Sequence, residues 1–188
     1  MRVTEFLLLS LAAASPVACA NAATPDGPFQ LYAYGEDVGG LVLFSDGEHV
    51  YAGEPSLLDD VQAAPIILES HDGQWSCSPN TTALADDSQP TWSNLTFAIP
   101  STTATSHDVQ LVNATSNGTS NFVTDGFSFY GAIAFASIDG GLVSLWQGIP
   151  SDVEGVYSLK WNDTEEENSA VIFTLKATKP LSTSLSEE

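Results

Sequence analysis

Residues 40–53 read GLVLFSDGEHVYAG, and this stretch decides the fold. Leu41 to Phe44 and Val50 to Ala52 are short apolar runs of the kind that suits a pleated surface. Asp46-Gly47 stands between them, and both residues tolerate a positive φ, so the pair marks a hairpin. Leu41 and Leu43 share one face of the first run, and Val42 and Phe44 share the other. A strand that is apolar on both faces is expected to lie at the centre of the sheet.

The same grammar extends along the chain. Strands are expected near 28–34, 40–45, 48–53, 64–70, 93–99, 108–113, 126–136, 141–147, 155–161 and 170–177. In 93–99, Leu95, Phe97 and Ile99 alternate with Asn94, Thr96 and Ala98, which places Asn94 on the solvent face. Tyr157, Leu159 and Trp161 are in phase, as are Val171, Phe173, Leu175 and Ala177. Asp139-Gly140-Gly141 is a second turn. No segment holds a sustained helical period; Pro55–Ala64 makes one or two turns at most. The stretches 43–56 and 135–151 both run strand, Asp-Gly turn, strand, Gly-x-Pro-Ser, as a duplicated hairpin would. The expected fold is a single antiparallel all-β domain over residues 21–180, a β-sandwich of about ten strands, with a β-trefoil or closed barrel as the alternative.

The ends point to export. Arg2, the apolar run Phe6–Ala14 and the small residues Ala18 and Ala20 form a secretory signal over residues 1–20. The run is much shorter than the roughly 20 residues that a membrane span needs. A lipoprotein reading of Cys19 wants a Leu-like residue where Pro16 stands. Residues 181–188 read as a flexible tail without the apolar stretch of a GPI signal.

Charge and cysteine narrow the classes further. The formal net charge is −20, and the basic residues beyond the signal are Lys160, Lys176 and Lys179. Such a surface repels nucleic acid and anionic lipid, so neither is an expected partner. Solubility accounts for the charge, and attraction to a polycation such as chitosan is the sharper alternative. With the signal removed, Cys77 is the one cysteine left, so no internal disulfide can form. Burial beside Trp75 is its expected fate, with a bond between two chains as the alternative. His71, six residues away, is a weak candidate for a thiol's base. Glycosylation sequons stand at Asn80, Asn94, Asn113, Asn117 and Asn162, none with proline in the middle, which fits a eukaryotic secretory route.

The segment 28–53, PFQLYAYGEDVGGLVLFSDGEHVYAG, resembles the opening of small, uncharacterised secreted proteins of filamentous fungi. GFSFYG (126–131), SLWQGIPSDVEGVYSLKWN (144–162) and the Val171–Leu175 strand resemble the rest of that pattern. More distantly the chain is similar to the fungal cell-wall group of the phialide protein and related elicitors, whose paired cysteines it lacks. The resemblance implies an extracellular or cell-wall protein and supplies no catalytic residues.

Motifs for chemistry are absent: there is no Gly-x-Ser-x-Gly elbow, zinc helix, phosphate loop or dinucleotide fingerprint. His49, His71 and His107 are scattered without ligand spacing, so no metal or cofactor is expected. Glu36-Asp37, Asp59-Asp60, Asp86-Asp87 and Glu165–Glu167 sit in turn-like contexts where solvation explains them. Exposed Trp stacks on sugar rings, so Trp92, Trp75 and Trp146 are the candidate carbohydrate contacts, with core filling as the competing account. Trp92, next to Pro90, is the foremost of these, whereas Trp161 is read as core. The expected function is a non-enzymatic secreted glycoprotein of the fungal wall or secretome. Its role is structural or host-interacting, and its partner a wall polysaccharide or a host extracellular protein. A carbohydrate-binding module and a small glycoside hydrolase follow as alternatives.

Overall fold

The computed structural model describes residues 25–82, 84, 89–114, 119–164 and 169–179. The signal segment, the 181–188 tail, Asn117, Asp86-Asp87 and Glu165–Glu167 lie outside the described residues. Among the described residues fifteen strands follow in chain order. They are β1 (Tyr32–Gly35), β2 (Val38–Ser45), β3 (Val50–Ala52), β4 (Ala64–His71), β5 (Gln74–Pro79), β6 (Leu95–Pro100), β7 (Gln110–Val112) and β8 (Phe122–Val123). Then come β9 (Phe127–Tyr130), β10 (Ile133–Ile138), β11 (Gly141–Val143), β12 (Trp146–Pro150), β13 (Tyr157–Trp161), β14 (Val171–Ile172) and β15 (Thr174–Lys176). Two 3₁₀ turns, Pro55–Leu57 and Thr119–Asn121, are the helical elements among the described residues.

All pairings are antiparallel, and the sheet does not close into a barrel; the architecture is all-β and sandwich-like. The main path runs β11-β10-β15-β1-β2-β3-β13-β12-β14, and a second wing runs β2-β4-β5-β6 with β7 and β8 on β6. The expected central strand is β2. Its first half pairs with β1, and Phe44 and Ser45 pair with both β3 and β4. Its edges thus join the two wings, while Leu43 and Phe44, on opposite faces, enter two separate core clusters.

The strand count exceeds the expected ten because long runs break at turns. Residues 126–136 form not one strand but the β9–β10 hairpin, folded at Gly131-Ala132. Residues 141–147 divide between β11 and β12, and 170–177 divide at Phe173. β5 was not anticipated; it pairs with β4 from Ile66↔Pro79 to His71↔Gln74 across a turn at Asp72-Gly73. β6 departs from simple alternation, because Thr96 and Ala98 are as buried as Phe97 and Ile99. β5, β7 and β8 pair along the edges of β6, while Asn94 stays exposed just before it.

The core is a chain of rings. Trp75 on β5 stacks on Phe127 and Phe129 at 5.0 and 5.2 Å, and Phe29 meets it edge-on at 5.4 Å. Phe97 links Trp75 to Trp146, whose ring lies 4.5 Å from that of Trp161. The Trp146 indole donates to the Ala134 carbonyl at 3.0 Å, tying β12 to β10. Truncating a ring such as Trp75 costs about 3–5 kcal/mol, since it leaves both a cavity and lost transfer energy. Backbones also approach closely here. A Cβ on Gly148 would lie 2.1 Å from the Phe173 ring, so glycine is what lets β12 pass beneath that ring.

The proposed repeat is not a structural one. β2–β3 turns through four residues and leads to the Pro55–Leu57 turn, whereas β10–β11 turns through two and leads to β12.

Candidate functional site

The three candidate tryptophans are withdrawn from solvent. Trp75 and Trp146 are fully buried in the ring chain just described, and neither can stack on a sugar. The Trp75 indole nitrogen has no hydrogen-bond acceptor among the described residues and is enclosed by phenyl rings. Trp92, read from Pro90 as exposed, retains 9% of its surface. Its indole donates to the Gln62 carbonyl at 2.9 Å, and its ring lies over Gly47. These contacts come from residues 30 and 45 positions earlier, so no local pattern signals them. The three rings do not form a common exposed face. Among the described residues Tyr130, 75% exposed at the β9–β10 turn, is the large aromatic that does face solvent.

The described sequons divide. Asn94, Asn113 and Asn162 are exposed at strand ends, and Asn94 and Asn162 adopt positive φ of 52° and 49°. Asn80 differs in being half-buried: it lines a cleft of about 740 Å³, while Asn162 borders a smaller groove from an exposed position. Its backbone N–H donates to the Pro65 carbonyl at 2.7 Å, and its Oδ1 accepts from the Thr82 N–H at 3.1 Å.

The cleft is built by the segment after β3. Pro55 starts a 3₁₀ turn, and the Leu58 N–H closes onto the Pro55 carbonyl at 3.1 Å. Asp60 Oδ1 then accepts the Gln62 N–H at 2.8 Å. Gln62 clamps the far end of the loop that begins at Asn80: its Oε1 accepts from the Thr91 N–H and hydroxyl at 2.8 and 3.0 Å. The loop is therefore tied at both ends to residues 61–65. The cleft between them has apolar walls that include Val42, Leu57, Leu58 and Pro65. Glu54, Asp59 and Asp60 bring carboxylates to it. Leu57 and Val61 remain 49% and 57% exposed there. The short helix and the Asp59-Asp60 pair were legible in the sequence, but their meeting with Asn80 was not.

A polar cluster stands on the β3–β13 face. Tyr51 donates to Asp46 Oδ2 at 3.2 Å, and His49 Nδ1 lies 3.5 Å from the same oxygen. Burial, with Asp46 beside it, pushes the Tyr51 phenol up to about 12. Lys160 pairs with Asp108 Oδ1, and Ser106 donates to Asp108 Oδ2 at 2.5 Å. Burial raises the Asp108 carboxyl, but the Lys160 and Ser106 hydrogen bonds outweigh it and the net shift is downward. Each acid here is occupied by a structural partner. Asp46 holds its turn by accepting from the Glu48 and His49 N–H groups at 2.8 and 2.7 Å.

A second groove of about 550 Å³ runs between β10–β11 and the 100–107 segment, with Val143 and Leu145 beside Ser101, Thr102 and His107. His107 Nδ1 sits 3.0 Å from the Trp161 carbonyl. Among the described residues no group of three His, Cys, Asp or Glu side chains converges to hold a metal. Cys77 is a free, fully buried thiol, and burial raises its pKa. His71 cannot act as its base: Cys77 pairs with Leu68, three strand positions or about 10 Å from His71. His71 is exposed and lies 3.6 Å from Glu69. Among the described residues no helix is long and apolar enough to cross a membrane. Compared with known proteins, the chain matches no family model, no curated protein and no solved structure.

Proposed function

We propose that the chain is a secreted glycoprotein of the fungal wall or secretome that acts by interaction or as a structural component, not by catalysis. The observation that carries this reading is the placement of Asn94, Asn113 and Asn162, each exposed at the end of a strand. A glycan is bulky and hydrophilic, and such positions accommodate one without disturbing the core. The engaged state of the acids supports the non-catalytic part: Asp46, Asp60 and Asp108 hold turns or pair with Lys160. The resemblance of residues 28–177 to small secreted fungal proteins supports the location.

The test is expression of the full chain in a eukaryotic secretory host, followed by site-resolved glycopeptide mass spectrometry. The mature protein should be in the medium with sugar on these asparagines. Retention in the cell with bare sequons sinks the reading. Carbohydrate binding is the second reading, favoured by the groove that sets Val143 and Leu145 beside the Ser101 and Thr102 hydroxyls. Salt-resistant retention on chitin, β-1,3-glucan or cellulose, lost in Leu145→Asp, would place binding there. Retention on chitosan alone, lost in salt, reduces to charge.

A further inference from the structure

We infer that the cleft beside the Pro55–Leu57 turn is the seat of the chain's own sugar: the glycan on Asn80 folds into it and closes it. The inference rests on the glycoprotein reading above and goes beyond it, because it assigns one sequon a structural ligand. Transfer to Asn80 breaks the C1–O bond of a lipid-pyrophosphate-linked oligosaccharide and forms a C1–Nδ2 bond. The lipid pyrophosphate departs, and the amide loses one proton.

Four observations converge. First, the attachment point is in the cleft. Asn80 lines it and is half-buried, whereas Asn94 and Asn113 are exposed and line neither groove, and Asn162 borders the second groove from an exposed position. Second, the attachment point is held. The Asn80 N–H is fixed to the Pro65 carbonyl and its Oδ1 to the Thr82 N–H, so the sugar leaves from a set direction. Third, the volume of about 740 Å³ lies within the roughly 300–1,000 Å³ typical of small-molecule sites. Fourth, the lining matches a sugar's two kinds of surface. Leu57, Leu58 and Val61 offer apolar area to C–H faces, and Glu54, Asp59 and Asp60 offer acceptors to hydroxyl and acetamido N–H groups. A tethered ligand has a high effective concentration, so weak contacts suffice to keep it seated.

The experiment uses the secreted, glycosylated chain. Site occupancy is read by glycopeptide mass spectrometry, and the release of each glycan by an endoglycosidase is timed on native and on denatured protein. On native protein the Asn80 glycan should be cut at least about tenfold more slowly than those on Asn94 and Asn113, which line neither groove. After denaturation the four rates should converge. Ser56→Trp separates a seated glycan from a crowded attachment point, because Ser56 is exposed on the cleft wall and an indole there fills the space. A seated glycan is expelled, and its native rate rises to that of the other sites; a crowded one is cut more slowly still. The inference is overturned if Asn80 is glycosylated yet cut as fast as the others on native protein. It is overturned as well if Asn80 is bare while the other three carry sugar, an outcome that leaves the glycoprotein reading intact. Bare asparagine at all four sites removes both.

Discussion

Two hairpins in this molecule turn on the same dipeptide and are built in opposite ways. At β10–β11, Asp139 and Gly140 have φ of 50° and 79°, and Ile138 pairs directly with Gly141. This is a two-residue turn whose backbone twist matches its strands, and it needs nothing from elsewhere. No atom outside the turn lies within 4 Å of where a Gly140 Cβ would stand. At β2–β3 the loop has four residues, and Asp46 and Ser45 side chains hold it from within. Asp46 accepts two backbone N–H groups, and Ser45 Oγ accepts the Gly47 N–H at 2.9 Å while donating to the His49 carbonyl at 2.7 Å. The Trp92 ring then covers Gly47 from the other wing. A local backbone preference specifies the first turn, whereas side-chain hydrogen bonds within the loop and the distant Trp92 ring lock the second.

The comparison breaks most sharply at the two glycines. Gly47→Ala places a Cβ 2.8 Å from Trp92 at φ +101°, so strain adds to displacement of a buried ring. We expect a loss of about 3 kcal/mol, read as a lower urea midpoint with a red-shifted Trp emission. Asp46→Ala comes next. It leaves the Glu48 and His49 N–H groups without their acceptor and should cost about 2 kcal/mol by the same unfolding assay. Gly140→Ala meets open space and carries only the left-handed backbone penalty, about 1 kcal/mol. A cost at Gly140 equal to that at Gly47 would erase the distinction between the hairpins. The smallest effect sharpens it chemically. In Asp46→Asn the Tyr51 phenol loses its charged neighbour, and its pKa should fall from about 12 toward the ordinary value near 10, seen by ultraviolet titration. Because the folded-state pKa is raised, the stability that the neutral phenol contributes is complete below about pH 10. It disappears as pH rises toward 12, and the variant should narrow that window.

What the sequence made legible follows the same division between local and distant. The Asp46-Gly47 and Asp139-Gly140 turns, the two-faced β2 and the alternation of β13 and β15 are short-range properties, and each is present. β5 was missed although Asp72-Gly73 carries the same turn signal. Its residues, Gln74-Trp75-Ser76-Cys77-Ser78, alternate with small polar groups and lack β-branched side chains. Period-two patterning tells which residues share a face but not whether another layer covers it. That is why Trp75, Trp92 and Trp146 remained candidate contacts until their partners on β9, β10 and the Gln62 segment were seen. The cleft is a meeting of two loops separated by more than twenty residues, and no spacing rule encodes it.

Cys77 gives the molecule a clock of its own. A lone thiol sealed between Leu68 on β4 and Leu95 on β6 meets a solvent-borne reagent only when that wing of the sheet comes apart. The rate at which a maleimide or disulfide dye labels the folded chain therefore reports how readily the β4–β5–β6 wing opens, and equals the opening rate itself where labelling outpaces reclosing. No label has to be engineered, and among the described residues no second cysteine blurs the signal.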